Sequence, residues 1–274
     1  MSPTSLDLIG SEVQRRADWA ARHVEALTDS VAAWGRESHV ARLGGALSPD
    51  RRSIDLRLEG IPPAPVEEWG FLIGDALHNM RSLLNNLLHS IAVASAGPGG
   101  DVGRLQFPIS ETERDWTRAN GGGRKQIKGL PESVVRSVES LQPFNRGGSD
   151  SITHVLWLLN DLSNADKHRV ATLPAHSTNR LDLTVSAELL EPGLAPIDGE
   201  VVFVNSSDVL AHVDFGQPVR SFKIDARVTF AVFIFDSRGR HFEAGPLTEK
   251  LLQEVVGVAN TVLTDWNEPT SVVP

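Results

Sequence analysis

The chain has 274 residues and an ordinary apolar fraction of 41%, enough to bury a sizeable core as one large domain or two smaller ones. Its formal net charge is −9, from 35 acidic and 26 basic residues, which argues against broad attraction to nucleic acid or an anionic membrane while leaving room for a local basic patch. Cysteine is absent, which excludes disulfides, thiolate metal sites and a cysteine nucleophile.

The first residues, MSPTSLDLIGSEVQRR, show no basic segment followed by an apolar one, and no apolar run reaches the length of a membrane-crossing helix. The expectation is a soluble, cytoplasmic, bacterial protein with no membrane contact. From Thr4 to about Arg36, Leu6, Ile9, Val13, Ala17, Ala20, Val24, Leu27, Val31 and Trp34 recur every three or four residues, predicting a long helix with a near-heptad seam. Such a seam suits a homodimer or an intramolecular bundle equally. His39–Gly44 and Ser53–Leu58 read as two short strands around Ser48-Pro49-Asp50.

Pro65, Glu67 and Glu68 then suit the first turn of a helix, and the stretch GFLIGDALHNMRSLLNNLLHS from Gly70 to Ser90 carries that helix onward. LQFPI (Leu105–Ile109) is extended, and Ser110 followed by Glu113 resembles a capping box opening another helix. Gly121 to Lys125 reads as a surface loop, Pro131–Leu141 as a short helix, and Ser151 to Arg169 as a further helix. Beyond this the pattern turns to strands: Arg180–Leu190, Glu200–Asn205, Ser221–Asp236 and Arg240–Glu243, with a hairpin turn at Asp236-Ser237-Arg238-Gly239. Phe230–Phe235 is apolar on both faces, as in a strand covered on both sides. Pro246–Trp266 closes as a helix. The fold class is α+β: a helical bundle (1–175) with a hairpin insertion near 38–59, then a mainly antiparallel sheet with a C-terminal helix (176–274), or one continuous domain. The hairpin is placed to pair with the later strands.

Two helix faces have an unusual composition. On the Gly70 helix, Asp75, His78, Ser82, Asn85 and His89 fall in one arc roughly 80° wide at about 100° per residue. A face that only meets water usually carries Lys and Glu; this one carries short hydrogen-bonding groups and imidazoles, with Arg81 its one long cation. On the Ser151 helix, His154, Asn160, Asp161, Asn164 and His168 share a face with Trp157. Two such faces could converge on one cleft.

A His beside a carboxylate can act as general acid or base near neutral pH. Asp75 and His78 stand at i and i+3, and Lys167 or Arg169 could stabilise developing negative charge. The Asp75–His78 spacing would also suit a metal, but Asp161 with Asn164 does not supply the second pair of a dinuclear site. No metal and no cofactor are expected. The motifs G-x-S-x-G, H-E-x-x-H and G-x-G-x-x-G are absent.

GDALHNMRSLLNNL, LQFPI, LQPF and LLNDLSNADKHR together resemble a group of bacterial proteins with a Gly-Asp-x-x-His-Asn-x-Arg-Ser helix, a Phe-Pro-Ile segment and an Asn-x-Asp-Lys-His-Arg helix end. The resemblance covers roughly residues 65 to 170 and implies no particular activity. The chain is also similar, more weakly, to the HEPN superfamily of helical bundles, many of which cleave RNA in toxin and defence systems. That family's hallmark is Arg, four to six residues, then His; here Arg81 and His89 have seven residues between them.

Three readings follow. In the first, Asp75, His78 and His168 are acid–base groups acting on a phosphodiester or another small polar substrate, with Asn164 and Arg169 positioning it. In the second, the cleft binds an unidentified ligand or protein partner without reaction, through Asn85, Asn164, Arg169 and Trp157. In the third, the polarity only fixes packing. The preferred reading is a ligand- or partner-binding protein with a polar inter-helix cleft, the alternative an HEPN-like RNA-cleaving enzyme.

Overall fold

A computed structural model describes residues 5–37, 42–59, 62–96, 102–103, 105–146, 154–168, 175–191, 194–203 and 209–267; side chains at 42, 58, 146, 166–168, 175–182, 203 and 226–230 are outside the described set. The architecture is α+β. Contacts divide the chain into a helical unit, made of Met1–Asp29, Val66–Ala175 and Phe233–Pro274, and a sheet unit, made of Ser30–Pro65 and His176–Val232.

In the helical unit, helix α1 (Ser5–Glu37) contributes its first 25 residues. Ile9, Val13, Ala17, Ala20, Val24 and Leu27 are all buried, so the seam read from the sequence is used within the single chain. Helix α2 (Val66–Ala96) has Glu67 and Glu68 in its first turn, where the helix dipole favours them. Its inward stripe, including Ile73, Leu77, Met80, Leu84, Leu87 and Ile91, is buried to 1% exposure or less. Each such side chain contributes about 1.5–3 kcal/mol, which outweighs the poor helix propensity of Asn79, Asn85 and Asn86. Short helices α3 (Glu113–Thr117), α4 (Gly123–Gln126) and α5 (Glu132–Ser140) follow, then α6 (Val155–His168). The last helix, α7 (Ala244–Asn267), packs against α2, α5 and α6, and buries Leu247, Leu251, Val255, Val258 and Val262.

The LQFPI segment has no sheet to pair with, so its backbone needs side-chain partners. The Phe107 N–H donates to Asn85 Oδ1 at 2.8 Å. Gln142, fully buried, accepts from the Ser110 N–H at 2.8 Å and donates to the carbonyls of Pro108 and Val138, each at 3.0 Å. Helix α3 is capped two residues later than the Ser110–Glu113 spacing predicts. Thr112 is its N-cap and accepts from the Asp115 N–H at 3.1 Å, while the Ser110 backbone N–H donates to Gln142.

In the sheet unit, strands β1 (Arg42–Leu47) and β2 (Ser53–Glu59) form an antiparallel hairpin. Strand β2 pairs with β6 (Ala211–Asp214), which pairs with β5 (Glu200–Phe203), so the early hairpin does join the later strands. A second sheet has the order β4 (Ile197–Asp198), β3 (Ala175–Leu189), β7 (Val219–Phe235), β8 (His241–Glu243). Ile54, Leu56, Ala211, Val213, Val185, Ala187 and Val219 from both sheets form one apolar cluster. A Cβ at Gly199 would lie 2.3 Å from Val213 Cγ1, so this cluster requires glycine there. Arg51, at φ 60°, closes the β1–β2 turn; its guanidinium donates to the carbonyls of Val219, at 2.8 Å, and Arg220.

The sequence division at 175/176 placed the C-terminal helix with the sheet and the 38–59 hairpin with the helices. Contacts group α7 with the helices and β1–β2 with the strands. The last three residues of β7 belong to the helical unit, where they pair with β8. There Phe235 is 45% exposed, so the double-sided cover expected over Phe230–Phe235 does not extend to its end. No helix among the described residues is long and apolar enough to cross a membrane.

Candidate functional site

The polar stripe of α2 divides into an outer and an inner line. Asp75, His78 and His89 are exposed. The Asp75 carboxylate lies 4.0 Å from Nδ1 of His23, on α1, rather than beside His78. His78 Nε2 is 3.5 Å from Ser82 Oγ, the next polar position along the stripe. Asn79 and Asn86 turn back on the helix and donate to the carbonyls of Asp75 and Ser82 at 2.8 and 2.7 Å. Asn85 faces inward, and its Oδ1 is taken by the Phe107 N–H.

Arg81 occupies the inner line, about 40° from Asn85 and about 60° from His78 on the helix circumference. No carboxylate stands at helix spacing from it: Leu77, His78, Leu84 and Asn85 are its i±3 and i±4 neighbours. Its Nη1 is buried and meets no hydrogen-bond acceptor among the described residues. Burial brings the guanidinium down to about 10, still fully charged at neutral pH. A half-hidden cation with no anion beside it among the described residues is costly. The sequence signal was present, an arginine flanked by leucines with no acid in reach, but it does not say how deep the side chain sits.

On α6, Trp157 is 7% exposed and covered from one side by two cations. The Cζ atoms of Arg238 and Arg240 stand 4.7 and 5.3 Å from its ring centroid. Its Nε1–H donates to Glu111 Oε2 at 3.1 Å, and Glu111 Oε1 accepts from Arg238 Nη2 at 2.6 Å. Asp161 accepts from the Ser237 N–H at 2.8 Å and from Ser237 Oγ at 2.5 Å. Trp157 and Asp161 thus seat the β7–β8 turn on α6. Within that turn the Asp236 side chain is sealed from solvent. Burial alone would raise its carboxyl. The Arg240 N–H and guanidinium and the Arg238 N–H, donating at 2.6 to 2.9 Å, hold it below its ordinary value instead.

Asn164 is exposed. The His168 side chain and the whole of Arg169 lie outside the described residues. Among the described residues, no hydrogen bond or ion pair joins Asp75 or His78 to Asn164, and no group of His, Asp and Glu is arranged to hold a metal ion. Compared with known proteins, the chain matches no family model, no curated protein sequence and no solved structure.

Proposed function

We propose that the protein is a binding protein for a small oxyanion, carboxylate or phosphate, whose charge is met by Arg81 on the inner line of α2. The single observation that carries this reading is the buried Arg81 Nη1 with no acceptor among the described residues. A guanidinium presents a planar fork that matches carboxylate and phosphate in two parallel hydrogen bonds. A ligand supplying those acceptors would cancel a desolvation cost the protein otherwise carries. His78 and Asn85, on the same side of α2, would border such a ligand.

The test is thermal unfolding in a panel of inorganic phosphate, sulfate and simple dicarboxylates at fixed ionic strength. At least one member of the panel raises the melting temperature of the wild-type protein, as linkage requires of a ligand that binds only the folded state. Arg81→Met abolishes that response and Arg81→Lys, which keeps the charge but not the fork, reduces it. A wild-type protein indifferent to every anion, or an Arg81→Met protein that responds equally, overturns the reading. RNA incubated with the pure protein stays intact; its hydrolysis, lost in His78→Ala, would establish the enzymatic alternative instead.

A further inference from the structure

The wall built by α3, α4 and α5 gathers positive charge in a chain of net charge −9. Between Trp116 and Pro131 stand Arg118, Arg124, Lys125 and Lys128, with no acidic residue among them. These four cations line one cavity of about 410 Å³, in which Glu132 is the only lining carboxylate among the described residues. None of its lining residues belongs to α2. Leu130 and Val135 add an apolar wall.

The cations are held, not loosely displayed. What the sequence reads as a surface loop at Gly121–Lys125 is a tight turn leading into α4. The Gly122 N–H donates to the Arg118 carbonyl at 3.2 Å, Lys125 Nζ to the Ala119 carbonyl at 3.1 Å and Gln126 Nε2 to the Gly121 carbonyl at 3.2 Å. A Cβ at Gly122 would lie 2.3 Å from the Arg118 oxygen, and one at Gly123 2.7 Å from both Ser110 Oγ and the Trp116 ring. Only glycine permits this closeness, and the turn therefore fixes the positions of Arg118 and Lys125.

Two of the four cations are engaged within the protein. Arg124 faces Glu132 at 3.1 Å and Glu139 at 3.9 Å, and Lys125 is tied to Ala119. The side chains of Arg118 and Lys128 have no hydrogen-bonded or ionic partner among the described residues. Like charges gathered in a concave wall focus a positive potential into it. The volume falls within the range of about 300–1,000 Å³ typical of small-molecule sites. The net charge of the whole chain opposes the extended phosphate tracking that a polynucleotide requires, but it does not oppose one compact anion held in a concavity.

We propose that this cavity binds a phosphorylated small molecule of nucleotide size, with Arg118 and Lys128 on the phosphate and Leu130 and Val135 against its less polar part. The experiment is calorimetric titration of the full chain with ADP at low salt, in parallel with a short single-stranded RNA. ADP binds, and its affinity falls as salt is added. Arg118→Gln and Lys128→Gln each weaken binding by about tenfold, the loss of one charge-assisted contact, and the double variant shows no binding. Both side chains are exposed, so the variants keep the wild-type melting temperature. The titrations are run in the Arg81→Met background as well, so that binding in this cavity is read apart from any anion held on α2. Failure of ADP to bind, binding untouched by both substitutions, or binding of the RNA alone overturns the proposal.

Discussion

At the scale of single residues, Arg81 is the charged group among the described buried atoms without a partner, beside the neutral Trp116 Nε1 and Ser137 Oγ. A shift of one decade in acidity corresponds to about 1.4 kcal/mol, so keeping Arg81 charged where it sits costs on the order of 3 kcal/mol. Arg81→Met, similar in length and apolar, is expected to stabilise the ligand-free protein by about 1–3 kcal/mol in urea unfolding. The pH dependence has a definite sign. The unfolded chain keeps the ordinary, higher value for arginine, so above about 10 it holds more protons than the folded chain and folding stability rises with pH. The penalty is therefore complete at neutral pH, and the advantage of Arg81→Met narrows as pH climbs past about 10. An equal or smaller stability in Arg81→Met at pH 7 would mean that the guanidinium is compensated after all. The neighbouring residues show what a sequence can and cannot convey at this scale. The stripe Asp75–His78–Ser82–Asn85–His89 is legible because helical periodicity is local. That Asp75 approaches His23, or that Asn85 ties down Phe107, is not, because those partners come from 52 residues before and 22 residues after.

Among the elements, the β7–β8 hairpin shows how a polar helix face can serve packing. The sequence singled out Trp157 and Asp161 as odd members of the face of α6, and the structure gives both a partner. Trp157 lies under Arg238 and Arg240, and Asp161 holds the turn through Ser237. The hairpin pairs over only three residues, so its order depends on this docking. Removing the Asp161 carboxylate releases the exposed Ser237 donors to water and frees the turn from α6. Asp161→Ala is expected to cost about 0.5–1.5 kcal/mol and to speed amide exchange at Ser237 far more than at Leu251 in the α7 core. Uniform exchange across both would show that the turn does not open on its own. Other elements explain the misreadings. Ser110 lies in the extended segment, its N–H given to Gln142, and the cap of α3 is Thr112, two residues on. Strand β6 is too short to give an alternating signal, although its four residues do alternate in burial. The glycines 121–123 suggest flexibility by composition, whereas two of them are present because backbone and ring atoms approach too closely for any Cβ.

On the scale of the whole molecule, the two units are interleaved along the chain, and this makes a strong prediction. Periodicity showed where helices give way to strands, near 175, but not which segments share a core. Cutting the chain at 175/176 would separate α2, α5 and α6 from α7, which packs against all three. The fragment 1–175 would then present Leu77, Leu84, Val134 and Leu159, all fully buried in the intact chain, with the helix that packs against their elements missing. The fragment 176–274 would keep β6 but lose β2, exposing one edge of β6 and removing Ile54 and Leu56 from the apolar cluster. Neither fragment has a complete core, and native stability is a margin of only about 5–15 kcal/mol. Each fragment produced alone is therefore expected to lack a cooperative thermal transition, while the two together regain it. If 1–175 alone melted cooperatively, α7 would be an accessory to the helical unit, and the linear division at 175 would be the correct description of the molecule.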